Sequence, residues 1–277
     1  MSTYTREQLT YLIQFIHPEK TLAALPGAAQ EPLLAGLFGL PLATYRQIRE
    51  SFRRNARQAA VDLLDDAALA RSVDRLPFAA KSTVVCLGDS ITDDYQSWAE
   101  ILRHLLVLRR SGDGIRLINA GISGDMTTQM IARFLGVVLE RPDWIFCMAG
   151  TNNARRHGHS AQEPLVSVEE TARSLRALRH YAAAQTAAQW VWITPATVIE
   201  EKIAQHWWLG KGNQIAFRNE DLVAVADAVR AQPELVVDLQ RVFGLPPDMA
   251  LLLDDGLHPS LEGQKVIVRA LIEALTA

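Results

Sequence analysis

Apolar and polar positions along this chain fall into two regimes. Over residues 1 to about 78 the apolar positions recur at helical spacing, and no convincing strand pattern occurs. Thr5-x-x-Gln8 has the form of a capping box and precedes Leu9, Leu12, Ile13 and Ile16 at helical spacing. A second helix is predicted from 43 to about 64, with Ile48, Phe52, Ala56, Ala60 and Leu63 sharing a face. Arg46, Arg49, Arg53, Arg54 and Arg57 crowd the rest of it and are expected to be solvated rather than to hold a phosphate or an acidic partner. From Lys81 onward, short β-branched runs at 83–87, 115–119, 144–148, 190–194 and 235–239 alternate with helical stretches. Each interval is long enough for a crossover helix. Ser97-x-x-Glu100 and Ser167-x-x-Glu170 mark two helix starts, and a last helix follows Pro259-Ser260. The expectation is an α/β fold over residues 81–277, a five-stranded parallel sheet covered by helices on both faces, preceded by a helical region over residues 1–80 of unassigned role.

Composition narrows the function classes. The chain is 49% hydrophobic and 21% charged, as in a globular protein, and its net charge of −3 argues against a nucleic-acid partner. Cys86 and Cys147 both fall inside predicted strands and read as buried thiols rather than a disulfide or metal site. The first residues carry charge where a secretory leader needs an apolar run. The most apolar stretch, 33–43, is shorter than the roughly 20 residues a bilayer requires. A cytoplasmic protein without membrane insertion is therefore expected. His157-Gly158-His159 has no partner ligand at plausible spacing and reads as a polar surface loop. No Walker-type or dinucleotide glycine loop occurs, so no metal and no cofactor is expected.

The candidate chemistry sits at the ends of the predicted strands. Gly88-Asp89-Ser90 directly follows the apolar run 83–87, which puts a hydroxyl at the carboxyl edge of the sheet, where open α/β folds bind ligands. Alone this is an ordinary turn with a helix cap. Three segments follow in order: Asn119-Ala120-Gly121-Ile122-Ser123-Gly124-Asp125, Gly150-Thr151-Asn152-Asn153, and Asp255-Gly256-Leu257-His258-Pro259. A serine hydroxyl is a poor nucleophile until a base takes its proton. His258 is the best candidate, because Pro259 fixes the local backbone. Asp255, three residues earlier, can orient the imidazole within one tight turn. Asp254 is its rival, disfavoured by the Asp-x-x-His register. Gly-x-Ser-x-Gly is absent around Ser90, which argues against the α/β-hydrolase nucleophile elbow.

These four blocks resemble the SGNH hydrolases, the GDSL esterases and lipases, over roughly residues 83–277. The resemblance implies a flavodoxin-like α/β/α sandwich with Ser90, Asp255 and His258 as a catalytic triad. It also implies that the backbone N–H groups of Ser90 and Gly124 and the side-chain amide of Asn152 stabilise the oxyanion. Gly121 is the alternative to Gly124, since it lies in the same loop. Two departures stand out. Asn153 occupies a position that is often Asp, and is expected to support the loop. Asp93-Asp94-Tyr95 stand where a glycine is common, and those acids are expected either to rim the cleft and discourage anionic substrates or to be solvated. Asp89, Trp207 and Trp208 are expected substrate contacts, the tryptophans stacking on a sugar, covering an acyl chain, or packing their loop onto the body. Arg155 and Arg156 follow the oxyanion loop, either beside an anionic group or in solvent.

The expected activity is hydrolysis of short-chain, chiefly acetyl, esters of small molecules, acetylated carbohydrate included, through an acyl-enzyme. A thioesterase or lysophospholipase activity and an acyltransferase using the same acyl-enzyme are the alternatives. A third reading has the N-terminal helices recruiting a protein partner or a second copy of the chain.

Overall fold

A computed structural model describes residues 4–158 and 162–277. Its centre is a five-stranded, all-parallel sheet built from β1 (Thr83–Gly88), β2 (Arg116–Gly121), β3 (Trp144–Met148), β5 (Gln189–Ile193) and β7 (Leu235–Val237). Two two-residue strands, β4 (Arg156–His157) and β6 (Ile215–Ala216), pair antiparallel apart from it. The order across the sheet is β2-β1-β3-β5-β7. This is the flavodoxin-like arrangement, whose direction of winding reverses between β1 and β3 and opens a ligand crevice at their carboxyl ends. Ser90 begins two residues after β1, at that switch point.

Strand periodicity divides the core into two layers. Val84, Cys86, Phe146, Met148, Val191 and Ile193 face one helical layer, while Val85, Leu87, Ile145, Cys147, Trp190 and Trp192 face the other. The two thiols are free and buried on opposite faces of the sheet, so no bridge between them is possible. The helices Thr127–Ala132, Val168–Gln185 and Asn219–Arg230 cover one face; Trp98–Arg109 and Leu261–Thr276 cover the other.

The N-terminal region is built into the second of these layers. The helix Leu42–Leu64 buries Ile48, Phe52, Ala56, Ala60 and Leu63, as its apolar stripe predicts. Ala56, Ala59, Ala60 and Leu63, together with Leu69, Val73 and Phe78 further on, join the same core cluster as Trp98 and Phe146. The arginine face of that helix is partly neutralised: Arg46 donates to Glu31 at 2.7 Å and Arg53 to Glu50 at 2.9 Å. Arg49 lies over the Tyr95 ring, 4.7 Å from its centroid. The helix Arg6–Phe15 starts at the expected box, with the Gln8 N–H donating to Thr5 Oγ1 and the Thr5 N–H to Gln8 Oε1. At Trp98 the start is as expected but the cap is not, since the Ser97 side chain makes no capping bond. The Trp98 N–H donates instead to Gln264 Oε1, 2.8 Å away on the last helix. No helix among the described residues is long and apolar enough to cross a membrane.

Candidate active site

The carboxyl ends of the strands bring Ser90, Asp255 and His258 together. Ser90 opens a short helical turn whose first residues are capped by Asp89, the carboxylate of which accepts from the Ile91 N–H at 3.1 Å. The Ser90 Oγ lies 2.9 Å from His258 Nε2, and His258 Nδ1 lies 2.5 Å from Asp255 Oδ2. With Nδ1–H donating to the carboxylate, Nε2 is left to accept from the serine hydroxyl. The other Asp255 oxygen accepts from the Leu257 and His258 N–H groups at 2.8 and 2.9 Å, so the turn that carries the histidine also orients the acid. Asp254, its sequence rival, points outward to Lys202, 3.4 Å away.

Charge follows geometry. Burial would push Asp255 up, yet the imidazole beside it and the hydrogen bonds from His258 and the turn hold it down at about 2. Burial would pull His258 down, but the Asp255 carboxylate, its hydrogen bond, and Asp94 and Asp89 further off raise it above the usual histidine value. Burial pushes Asp89 up to about 6 and Asp94 up to about 7.

A cavity of about 200 Å³ opens at Ser90 and is lined also by Ser123, Gly124, Asn152, Arg155 and His258. Gly124 has φ +86°, a conformation that favours glycine, and an added side chain there would meet nothing within 4 Å. Gly121 is absent from the lining; a Cβ there would strike the Asp93 backbone at 2.5 Å, so its glycine serves the packing of the loop against the Ser90 turn. Asn152 donates one amide hydrogen to the Asp125 carbonyl at 3.2 Å, which leaves the second free to face the cavity. Asn153 is buried. Its carbonyl oxygen accepts from the Thr127 N–H at 3.0 Å, and its amide donates to Thr127 Oγ1 and Thr171 Oγ1 at 2.7 and 2.9 Å. It ties the loop down, as its place in the sequence suggests.

Several expectations are corrected. Asp89, expected at the substrate, is fully buried and outside the cavity lining, where it caps the turn. Trp208 lines the cavity; Trp207 does not, and packs behind it against Tyr4, Tyr11 and His206. Asp93 and Asp94 neither rim the cleft nor meet solvent. His17 Nδ1 lies 2.7 Å from Asp93 Oδ1, and Lys20 donates to the same oxygen at 2.5 Å. Gln14 donates to Asp94 at 2.9 Å. His157 is exposed, and His159 lies outside the described residues.

The largest surprise is the helix Arg6–Phe15. The Tyr11 hydroxyl donates to Asp255 Oδ2 at 2.9 Å, and the Phe15 ring stacks on the His258 imidazole with centroids 4.0 Å apart. Tyr11, Leu12, Phe15 and Ile16 form one wall of the cavity. The amphipathic pattern of this helix was legible, but nothing in a local pattern says that the face it buries is the roof of a site more than 240 residues away.

Residues 86–266 match the GDSL-like lipase/acylhydrolase family. No curated protein matches the chain. Among solved structures, LAE5, an alpha/beta hydrolase enzyme from the metagenome of Lake Arreo, Spain, is 23% identical. The match covers 72% of this chain and 97% of that one, with a TM-score of 0.53. Axe2, an acetylxylan esterase from Geobacillus stearothermophilus, is 22% identical over 72% of this chain and 96% of its own, also with a TM-score of 0.53. These two likenesses are of fold. The family match begins inside β1 and excludes the helix Arg6–Phe15 that walls the cavity. With most of the chain inside the match and its five-stranded sheet in the flavodoxin-like order, the protein belongs to the GDSL-like lipase/acylhydrolase family and is a carboxylic-ester hydrolase.

Proposed function

We propose that the enzyme hydrolyses esters of short acyl chains through an acyl-enzyme on Ser90. The observation that carries this reading is the hydrogen-bonded series Ser90 Oγ, His258 Nε2 and Nδ1, Asp255 Oδ2 at the mouth of one cavity. The serine oxygen attacks the ester carbonyl while its proton passes to His258 Nε2. The imidazolium so formed is stabilised by Asp255. Negative charge on the carbonyl oxygen is met by the N–H groups of Ser90 and Gly124 and the Asn152 amide. His258 then gives its proton to the leaving alcohol, and a water attacks the acyl-enzyme by the same route in reverse.

Axe2 variants lacking a serine, an aspartate or a histidine are each described as catalytic mutants, the aspartate three positions before the histidine. Asp255 and His258 have the same spacing, which supports the assignment. The cavity bears on the acyl group. An apolar void of about 150 Å³ admits benzene, so about 200 Å³ lined by Leu12, Phe15, Leu209 and Phe217 takes an acyl chain of several carbons as readily as acetyl. Trp208 in the lining favours an acetylated sugar as a second reading, since an indole face is a common sugar platform.

A series of 4-nitrophenyl esters from acetate to decanoate tests both points. Turnover should peak at short to middle chain lengths and vanish in Ser90→Ala. Undiminished turnover by that variant rejects the mechanism, and a maximum at decanoate rejects the cavity at Ser90 as the acyl site.

A further inference from the structure

Arg155 is the one cation-bearing side chain besides His258 that lines the cavity among the described residues, and no acidic side chain lines it. It stands three residues after Asn152, half-buried in the wall. Its Nε is shielded from solvent and has no hydrogen-bond partner, and among the described residues no carboxylate pairs with its guanidinium. The neighbouring cations differ. Arg156 is forked onto Asp221 at 2.7 and 2.9 Å, Arg133 holds Asp125 at 2.5 Å, and Lys20 is seated on Asp93. Each of these has a fixed structural partner; among the described residues Arg155 has none.

A guanidinium carries five N–H donors in a planar fork and stays charged at every accessible pH. Leaving such a donor shielded and unpaired is more costly than leaving a neutral one, so an unpaired arginine facing a reaction cavity points to a ligand that completes it. Burial is what pulls Arg155 below the ordinary arginine value, and no acid offsets it. The acids behind the wall keep partners of their own and none lines the cavity: Asp93 is matched by His17 and Lys20, and Asp94 accepts from Gln14.

We propose that Arg155 binds an anionic group of the substrate, a carboxylate or a phosphate, so that the preferred esters of this enzyme carry a negative charge inside the reaction cavity. This deepens, and rests on, the reading of Ser90 as nucleophile. The charged group belongs either to the acyl chain or to the alcohol.

Two matched pairs of esters separate these sources. On the acyl side, mono-4-nitrophenyl adipate is compared with 4-nitrophenyl hexanoate; on the alcohol side, 3-acetoxybenzoate is compared with its methyl ester. The readout is the ratio of kcat/KM for the charged member to that for the neutral one, after subtraction of spontaneous hydrolysis. The wild type should favour the charged member of at least one pair. Arg155→Met should lower that ratio by about 10- to 100-fold, the range for a hydrogen bond to a charged group, and Arg155→Lys should retain part of it. The pair that responds names the side. A ratio that Arg155→Met leaves unmoved in both pairs overturns the proposal. If the Met variant does not fold, Arg155→Gln takes its place, and a ratio that it leaves unmoved in both pairs overturns the proposal. Ser90→Ala is run on the same four esters, and turnover surviving there rejects the nucleophile, not the arginine.

Discussion

Tyr11→Phe isolates the contact between the N-terminal helix and Asp255. The substitution removes one oxygen and keeps a ring that can still pack against Phe15, His206 and Trp207. Burial, and Asp255 after it, hold the Tyr11 hydroxyl far above the ordinary tyrosine value, so it is a neutral donor at every working pH. It donates to Asp255 Oδ2, the oxygen that also faces His258 Nδ1. A hydrogen bond to a charged group contributes about 1.5–3 kcal/mol, and the variant should lose roughly that much stability. At about 2–4 °C per kcal/mol for a chain of this class, the melting temperature falls by several degrees. The sign of the kinetic effect follows from the shared oxygen. Without the tyrosine, Oδ2 interacts more strongly with the imidazole, the imidazolium gains, and the pKa of His258 rises. If a third to a half of the lost energy reappears there, the shift is roughly 0.4–1 pH unit at 1.36 kcal/mol per unit. Because His258 must be neutral to accept the serine proton, the acid limb of kcat/KM moves to higher pH. The assay is 4-nitrophenyl butyrate hydrolysis from pH 5 to 9. An acid limb that stays in place or moves down, in a variant that keeps its fold, refutes this reasoning.

Other outcomes follow from the same geometry. Asn152→Ala should lower kcat by on the order of a hundredfold with little change in KM, since its free amide hydrogen acts on charge that develops in the transition state; an unchanged kcat removes it from that role. Stability should fall between pH 5 and 8. Asp89 at about 6 and Asp94 at about 7 hold protons more tightly in the folded state than at their ordinary 3.8, and the raised His258 loses its stabilising charge in the same direction. Thermal midpoints should therefore be higher at pH 5 than at pH 8, and Asp94→Asn should flatten the dependence; a midpoint that climbs with pH contradicts these shifts. Deleting residues 1–21 strips His17 and Lys20 from the buried Asp93, a loss of about 3–5 kcal/mol, and opens one cavity wall. An unchanged melt together with unchanged kcat/KM for the truncated chain would show that the helix is not part of the site.

How much of this was legible from sequence depends on the range of the interaction. The five parallel strands were readable because a strand buried on both faces must be a short apolar run, and each such run lies between helix signals. The meeting of Ser90 with Asp255 and His258 was readable through the resemblance of the four blocks and not through strand ends alone, since Ser90 follows β1 directly whereas Asp255 and His258 lie beyond β7 and the helix Leu239–Phe243. The role of Asp93 and Asp94 was not readable. Paired acids at a turn look solvated until a histidine, a lysine and a glutamine from residues 14–20 are brought onto them, more than 70 positions away. Tyr11 was hidden for the same reason: its helical pattern is satisfied equally by any apolar partner. Gly121 and Gly124 were equivalent in sequence, and only backbone approach and φ separate them.

The most direct measurement is the site of covalent capture. Treatment with a fluorophosphonate, followed by peptide mass spectrometry, should place one adduct on Ser90, with loss of esterase activity in proportion to labelling. Labelling should be abolished in Ser90→Ala and strongly slowed in His258→Ala. An adduct on another residue, or stoichiometric capture with activity retained, would contradict the central claim.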